Sequence, residues 1–221
     1  MGIEISSLLA SALAVIIGIV VHESSHALAA YVLGDATARQ RGRISLNPLK
    51  HIDPFGTVLL PLLMIAAGGP VFAFAKPVPV YLGNLKHPKR DEVLVSLAGP
   101  ASNILLACIG ALSLRLLAHN LVYNPLASLV LEFCLTFISV NLSLAFFNLI
   151  PLPPLDGSSV LVPFLKGRAL HAYYLVQHYS MPILIVVLYL LPTLLHIDLI
   201  GLYFDLTVYP IGNALLSFAL S

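Results

Sequence analysis

Charge is what this sequence has least of. Only 10% of its 221 residues are Asp, Glu, Lys or Arg, where a soluble domain carries about a quarter. So few charges cannot cover a water-facing surface of this size, which excludes an ordinary soluble globule. Cysteine is scarce too. Cys108 and Cys134 both lie inside apolar runs, and two such residues exclude a secreted disulfide scaffold. A surplus of positive charge is also missing. The 11 Lys and Arg against 10 Asp and Glu leave +1, so no nucleic-acid footprint is visible and no nucleic-acid partner is expected. There is no internal repeat, no low-complexity segment and no polar block long enough for a second, soluble domain. What is abundant is apolar: 59% of residues, with a mean hydropathy of +0.96. That excludes intrinsic disorder and leaves a multi-pass membrane protein.

A bilayer-spanning helix needs about 20 mostly apolar residues. Five stretches qualify: Ile5–Leu33, Val93–Ala118, Leu126–Ile150, Met181–Ile197 and Leu199–Leu220. A sixth, Phe55–Phe74, is apolar but broken by Pro61, Gly68, Gly69 and Pro70. The first run lacks a basic leader and its first charge is Glu4, so it reads as a retained span rather than a cleaved signal. Between the first run and Phe55 lies the polar stretch Gly34–Pro54. Alternation over Arg39–Leu46 within it suggests a short strand or β-hairpin. The expected fold is all-α and polytopic: five to six transmembrane helices, a short β-hairpin and a re-entrant segment around a buried metal site. A single membrane domain covers 1–221, with its core at about 5–160 and two further spans at about 181–197 and 199–220.

Polar residues inside the spans carry the information, since lipid makes them costly. His22-Glu23-Ser24-Ser25-His26 is an H-E-x-x-H motif. Residues four apart share a helix face, so both imidazoles can point at one ion. The Glu between them can hold a metal-bound water and act as general base. Two imidazoles leave a catalytic zinc one protein ligand short. Asp156, in Asn148-Leu-Ile-Pro151-Leu-Pro153-Pro154-Leu155-Asp156-Gly157, can supply it. The prolines end the preceding helix, and irregular backbone at membrane depth survives only where protein buries it or water reaches it. Taken alone, an Asp-Gly pair reads as a turn; the proline frame and the unmet ligand reverse that preference.

His22–His26, Gly99-Pro100-Ala101-Ser102-Asn103 and Asn148–Gly157 together resemble the intramembrane zinc metalloproteases of the site-2 protease family. Asn47–Gly56 and Lys76-Pro77-Val78-Pro79-Val80 resemble its compact prokaryotic branch, although Tyr81-Leu82-Gly83 stands where relatives more often carry Asn-Pro-Arg. The similarity runs from about Ile16 to Val160. It implies one Zn²⁺ per chain on His22, His26 and Asp156, with Glu23 as general base on a zinc-bound water. It further implies that Asn148 helps hold substrate or the oxyanion. The expected activity is hydrolysis of peptide bonds in or near transmembrane segments of membrane proteins. An edge strand at Lys76, Pro77, Val78, Pro79 and Val80 could hold the unwound substrate by strand addition. The alternative is a membrane zinc-binding or transport protein without proteolytic activity, which has no need of Glu23.

Lesser polar residues have plainer readings. His51 and Asp53 could steady the site, but a turn before Pro54 explains Asp53 about as well. Asn103 and Asn141 suit interhelical hydrogen bonds. Parity fixes topology. His22–His26 lies toward the C-terminal end of the first span and Asp156 at the C-terminal end of Leu126–Ile150, so both ends must face one side. One crossing between them must be cancelled: Phe55–Phe74 is the natural segment to dip in and return, or extended Ala75–Leu85 carries the chain back. Ten of the eleven Lys and Arg then share one side, with Arg115 alone near the other. The positive-inside rule makes the crowded side cytoplasmic. The protein is therefore expected in the cell membrane, with its active site nearer the cytoplasm.

Overall fold

The computed structural model describes residues 5–59, 63, 74–121 and 127–221. Nine α-helices appear among them. The long ones are α1 (Ile5–Val32), α3 (Pro88–Leu121) and α4 (Ala127–Leu149). A short α2 (Thr37–Gln40) follows α1. The C-terminal region holds α5 (Gly167–His178), α6 (Ser180–Ile185), α7 (Leu191–Leu195), α8 (Leu199–Leu206) and α9 (Val208–Leu220). Four helical segments are long and apolar enough to cross a membrane: Ser7–Val32, Pro88–Leu117, Ala127–Leu149 and Leu199–Leu220. A fifth arises if Gly167–His178 and Pro182–Leu195, bent by 75°, form one broken span. The expected span at Met181–Ile197 takes in the second member of this pair, with a wider helical turn at Val186–Leu190. The run Leu199–Leu220 is interrupted at Thr207, which caps α9.

Small residues set the central packing. On α3, Ala107, Ala111 and Leu114 meet Cys134, Ile138 and Leu142 of α4, with Val208 and Ala219 of α9 against them. A Cβ at Gly110 would come within 3.0 Å of Ile138. Helices in lipid associate through such close contacts, because no hydrophobic gain separates apolar protein from apolar lipid. The outward faces carry large apolar side chains, Leu105 and Leu116 among them.

α1 stops in a Schellman arrangement. Gly34, at φ +116°, takes the left-handed position, and the N–H of Asp35 bonds the carbonyl of Ala30 at 2.8 Å. The chain then enters α2 and not the expected hairpin: among the described residues there is no strand, and this corrects the reading of Arg39–Leu46. The Asp35 carboxylate accepts from the N–H of Thr37 at 3.0 Å and so starts a helical turn. Gly42, at φ +66°, ends it. The apparent alternation came from Arg43, a charged residue that is buried. Among the described residues Lys76–Val80 pairs in no ladder. Most of Phe55–Phe74, with Pro61, Gly68, Gly69 and Pro70, lies outside the described residues, and so does the expected re-entrant turn.

Val95, near the start of α3, sits beside His26, near the end of α1. The chain therefore leaves α1 and enters α3 at the same side of the bundle. The C-terminal end of α4 returns to that side too, since Asn148 lines one cleft with both histidines.

Candidate metal centre

His22 and His26 lie one turn apart on α1 and are both buried. Each ring is fixed through Nδ1. His26 Nδ1 is 2.7 Å from the carbonyl oxygen of Val95. A carbonyl only accepts, so Nδ1 carries the proton. His22 Nδ1 is 2.6 Å from Oδ1 of Asn103. The Asn103 amide donates to the carbonyl of Gly18 at 3.1 Å and to Asn141 Oδ1 at 2.9 Å, which leaves its oxygen as acceptor for His22. Asn141 is held in turn by donating to the Phe137 carbonyl at 2.8 Å. In the neutral form of each ring Nε2 is then the lone pair, and the two Nε2 atoms lie 3.0 Å apart.

Asp156 completes the group. Its Oδ2 is 3.2 Å from His22 Nε2 and 3.3 Å from His26 Nε2. One ligand atom from each of the three lies within 4.8 Å of the others. Asp156 opens a 3₁₀ stretch, Asp156–Phe164, after the proline-rich turn. Gly157 lets that turn close, because a Cβ there would be 2.1 Å from the Leu149 carbonyl oxygen. Two imine lone pairs and a buried carboxylate oxygen with no hydrogen-bond donor converge on one point. Three acceptors so placed repel one another unless a cation sits among them. Two imidazole nitrogens and one carboxylate oxygen suit Zn²⁺.

α3 makes room for such an ion. Gly99 faces the pair, and a Cβ there would lie 2.4 Å from His26 Nε2 and 2.6 Å from His22 Nε2. Pro100, next in the helix, cannot bond back to Ser96.

Glu23 sits between the histidines in sequence and lines the same cleft, which holds about 640 Å³. One cation stands near it: Nη2 of Arg43 is 4.0 Å from Glu23 Oε2. Arg43 also donates to the carbonyls of Lys50, at 2.5 Å, and Lys76. It thereby joins the motif helix to the start of the Lys76–Val80 segment. At the other end, Asp35 accepts from the N–H of Tyr81 at 2.7 Å and from the Asn84 amide at 2.9 Å. The segment is pinned at both ends, and Pro77, Val78 and Val80 face the cleft. Asn148 lines the cleft with one amide proton given to the Leu144 carbonyl at 2.9 Å.

His22, Glu23, His26, Asn148, Asp156 and most of the Lys76–Val80 segment therefore meet in one place. His51 and Asp53 do not join them. His51 Nε2 is 2.7 Å from the Ser45 carbonyl, and Asp53 caps the following turn by accepting from Phe55 and Gly56. Three contributors escape sequence reading: Arg43, the Asn103 contact to His22, and the empty space at Gly99. The Gly-Pro pair was visible; the atoms it faces were not.

Peptidase family M50 matches residues 117–191, a segment that contains Asn148 and Asp156. YwhC of Bacillus subtilis (strain 168), named as a candidate zinc metalloprotease, is 44% identical over 149 residues, covering 66% of this chain and 64% of its own. Rip2 of Mycobacterium tuberculosis, given the same description, is 31% identical over 179 residues, 81% of this chain and 66% of its own. Rip2 of Mycolicibacterium smegmatis is 34% identical over 170 residues, 76% of this chain and 61% of its own. The chain spans a little under two thirds of the length of these curated relatives. No solved structure matches it. By these similarities the chain resembles peptidase family M50, the site-2 protease family.

Proposed function

We propose that this chain is an intramembrane zinc metalloprotease that hydrolyses peptide bonds in or near transmembrane segments of membrane-protein substrates. The observation that carries the reading is the convergence of His22 Nε2, His26 Nε2 and Asp156 Oδ2 beside Glu23 in one cleft. These three residues would hold one Zn²⁺. When bound, it would supply Lewis acidity toward the scissile carbonyl and toward water.

The protein's own groups do the rest. Glu23 takes the proton of the attacking water and passes it to the leaving amine. Arg43, a loose ion-pair partner 4.0 Å from Glu23, steadies its carboxylate by charge alone. Asn148 retains one amide proton to donate to the substrate carbonyl oxygen. The substrate helix must unwind first, because its carbonyls are bonded internally. Lys76–Val80 then offers a partner. Pro77 and Pro79 have no N–H, and no hydrogen bond engages the backbone of Val78 or Val80 among the described residues. An extended peptide can pair there by strand addition.

The domain reading is a single membrane unit over 1–221, multi-pass in the cell membrane, with the cleft nearer the cytoplasm by the positive-inside rule. The test is direct. Purified wild-type chain should carry zinc and cut a single-span substrate, and His26→Ala should lose both. Zinc binding without cleavage would favour a zinc carrier instead.

A further inference from the structure

Besides Glu23 and Asp156 the cleft holds a third carboxylate, one that this chemistry does not use. Glu92 lies near the start of α3 and is 9% exposed. Its Oε2 accepts from the Tyr174 hydroxyl at 3.0 Å. Among the described residues that phenol is its only hydrogen-bond donor, and no Lys, Arg or His pairs with it. The cations nearest in sequence are engaged elsewhere: Lys89 donates to the Leu165 carbonyl and Arg90 pairs with Asp91. A carboxylate so placed has lost water without gaining a counter-charge, an unfavourable arrangement inside a protein and more so on a membrane helix.

The register of α3 says where this group stands. Glu92, Ser96, Gly99 and Asn103 follow one another at four, three and four residues, which is a single helix stripe. Asn103 and Gly99 face His22 and His26, and Ser96 bonds Ser159 at 2.8 Å beside Asp156. Glu92, Tyr174 and Gln177 line the same cleft as the histidines. Seven residues separate Glu92 from Gly99, about 10 Å along the axis. An extended peptide covers that distance in about three residues.

We propose that Glu92, framed by Tyr174 and Gln177, is a subsite for a cationic side chain of the substrate, a Lys or Arg about three residues from the bond that is cut. The ammonium or guanidinium supplies the counter-charge that the chain itself withholds. The Tyr174 ring and the Gln177 amide complete a pocket suited to a cation with an apolar stem. The substrate class is then a transmembrane segment with a basic flank. Such flanks lie on the cytoplasmic side of membrane proteins, the side toward which the cleft is proposed to open. The inference rests on the proteolytic reading above.

The experiment uses the full chain loaded with zinc and single-span peptides in which Lys, Gln or Glu walks through the positions around the cleaved bond. Wild type should prefer Lys over Glu at one position about three residues from the cut, by a factor on the order of 10 to 100 in kcat/KM, carried by KM. Glu92→Gln should level that preference and Glu92→Lys should invert it, with zinc content unchanged in both. Binding of the same peptides to a Glu23→Gln protein, read by fluorescence anisotropy, should follow the same charge order. Cleavage with no charge preference at any position, or a preference that survives Glu92→Gln, overturns the subsite alone. Absence of all cleavage by zinc-loaded wild type overturns the proteolytic reading and the subsite with it.

Discussion

A Cβ on Gly99 would stand 2.4 Å from Nε2 of His26. That atom would occupy the space onto which both imidazole lone pairs and the Asp156 carboxylate converge. The rings cannot turn away cheaply, since Val95 and Asn103 of the same helix hold both by Nδ1. Gly99→Ala is therefore expected to lower bound zinc from about one per chain toward none, as a structure that excludes the ligand geometry must. Metal analysis of the purified protein checks it. Gly110→Ala, at a helix contact away from the centre where a Cβ would meet Ile138 at 3.0 Å, should keep its zinc.

Legibility followed the range of each interaction. His22, Glu23 and His26 could be read because a helix fixes the spacing locally, and α1, α3 and α4 appear within a few residues of the hydropathy runs. Asp156 could be read because prolines mark the turn before it. The hairpin at Arg39–Leu46 failed because a buried arginine imitates alternation: Arg43 is drawn inward by the carbonyls of Lys50 and Lys76, partners distant in sequence. Asn103 was read as an interhelical link, which it is, but its contact to His22 spans 81 positions and no local pattern encodes that.

Glu23→Gln separates binding from chemistry. Glu23 offers no atom to the three-acceptor cluster, and glutamine keeps its size. Zinc content should match wild type, while turnover falls by about 10²- to 10⁴-fold. A clean Glu23→Gln preparation with substantial proteolysis would remove Glu23 from the mechanism.

Asn103 tests the support behind His22. Asn103→Leu removes the acceptor at His22 Nδ1 and the donors to Gly18 and Asn141. The ring would lose its tautomer control. Groups in this position typically affect metal affinity about 10- to 100-fold. Competition with a chelator should show a loss of that size, and equal chelator sensitivity in the two proteins would assign Asn103 to helix packing alone.

Asp35 carries a pH dependence of its own. Burial would raise its carboxyl, but hydrogen bonds from Asn84, Thr37 and the Tyr81 N–H outweigh it and hold it at about 2, below an ordinary 3.8. A depressed carboxyl stabilises the fold above its ordinary value, and that contribution fades as pH falls from about 4 to about 2. Asp35→Asn should lower Tm at neutral pH by about 2–4 °C for each kcal/mol lost. With zinc chelated, the two melting curves should approach each other below about pH 3. A gap that stays constant down to pH 2 would contradict the assignment.

Topology gives the last prediction. His26 meets Val95, so the chain leaves α1 and enters α3 on one side. Lys89 donates to the Leu165 carbonyl, which brings the chain before α5 to that same side. Arg41, Lys86 and Lys166 are exposed there. The opposite end is marked by Arg115, which donates to the Phe218 carbonyl and to Ser221 Oγ at 2.8 Å. Single cysteines at Arg41, Lys86 and Lys166 should thus share one accessibility, and a cysteine at Ser221 the other, in a background lacking Cys108 and Cys134. The basic excess sits with the first three, so a membrane-impermeant thiol reagent added to intact cells should reach Ser221→Cys and leave those three protected. Gly34 is a poor probe despite its position, since its φ of +116° disfavours any side chain. Labelling of Lys86→Cys with Arg41→Cys protected would mean an uncancelled crossing between α1 and α3, and His26 and Val95 could not then meet.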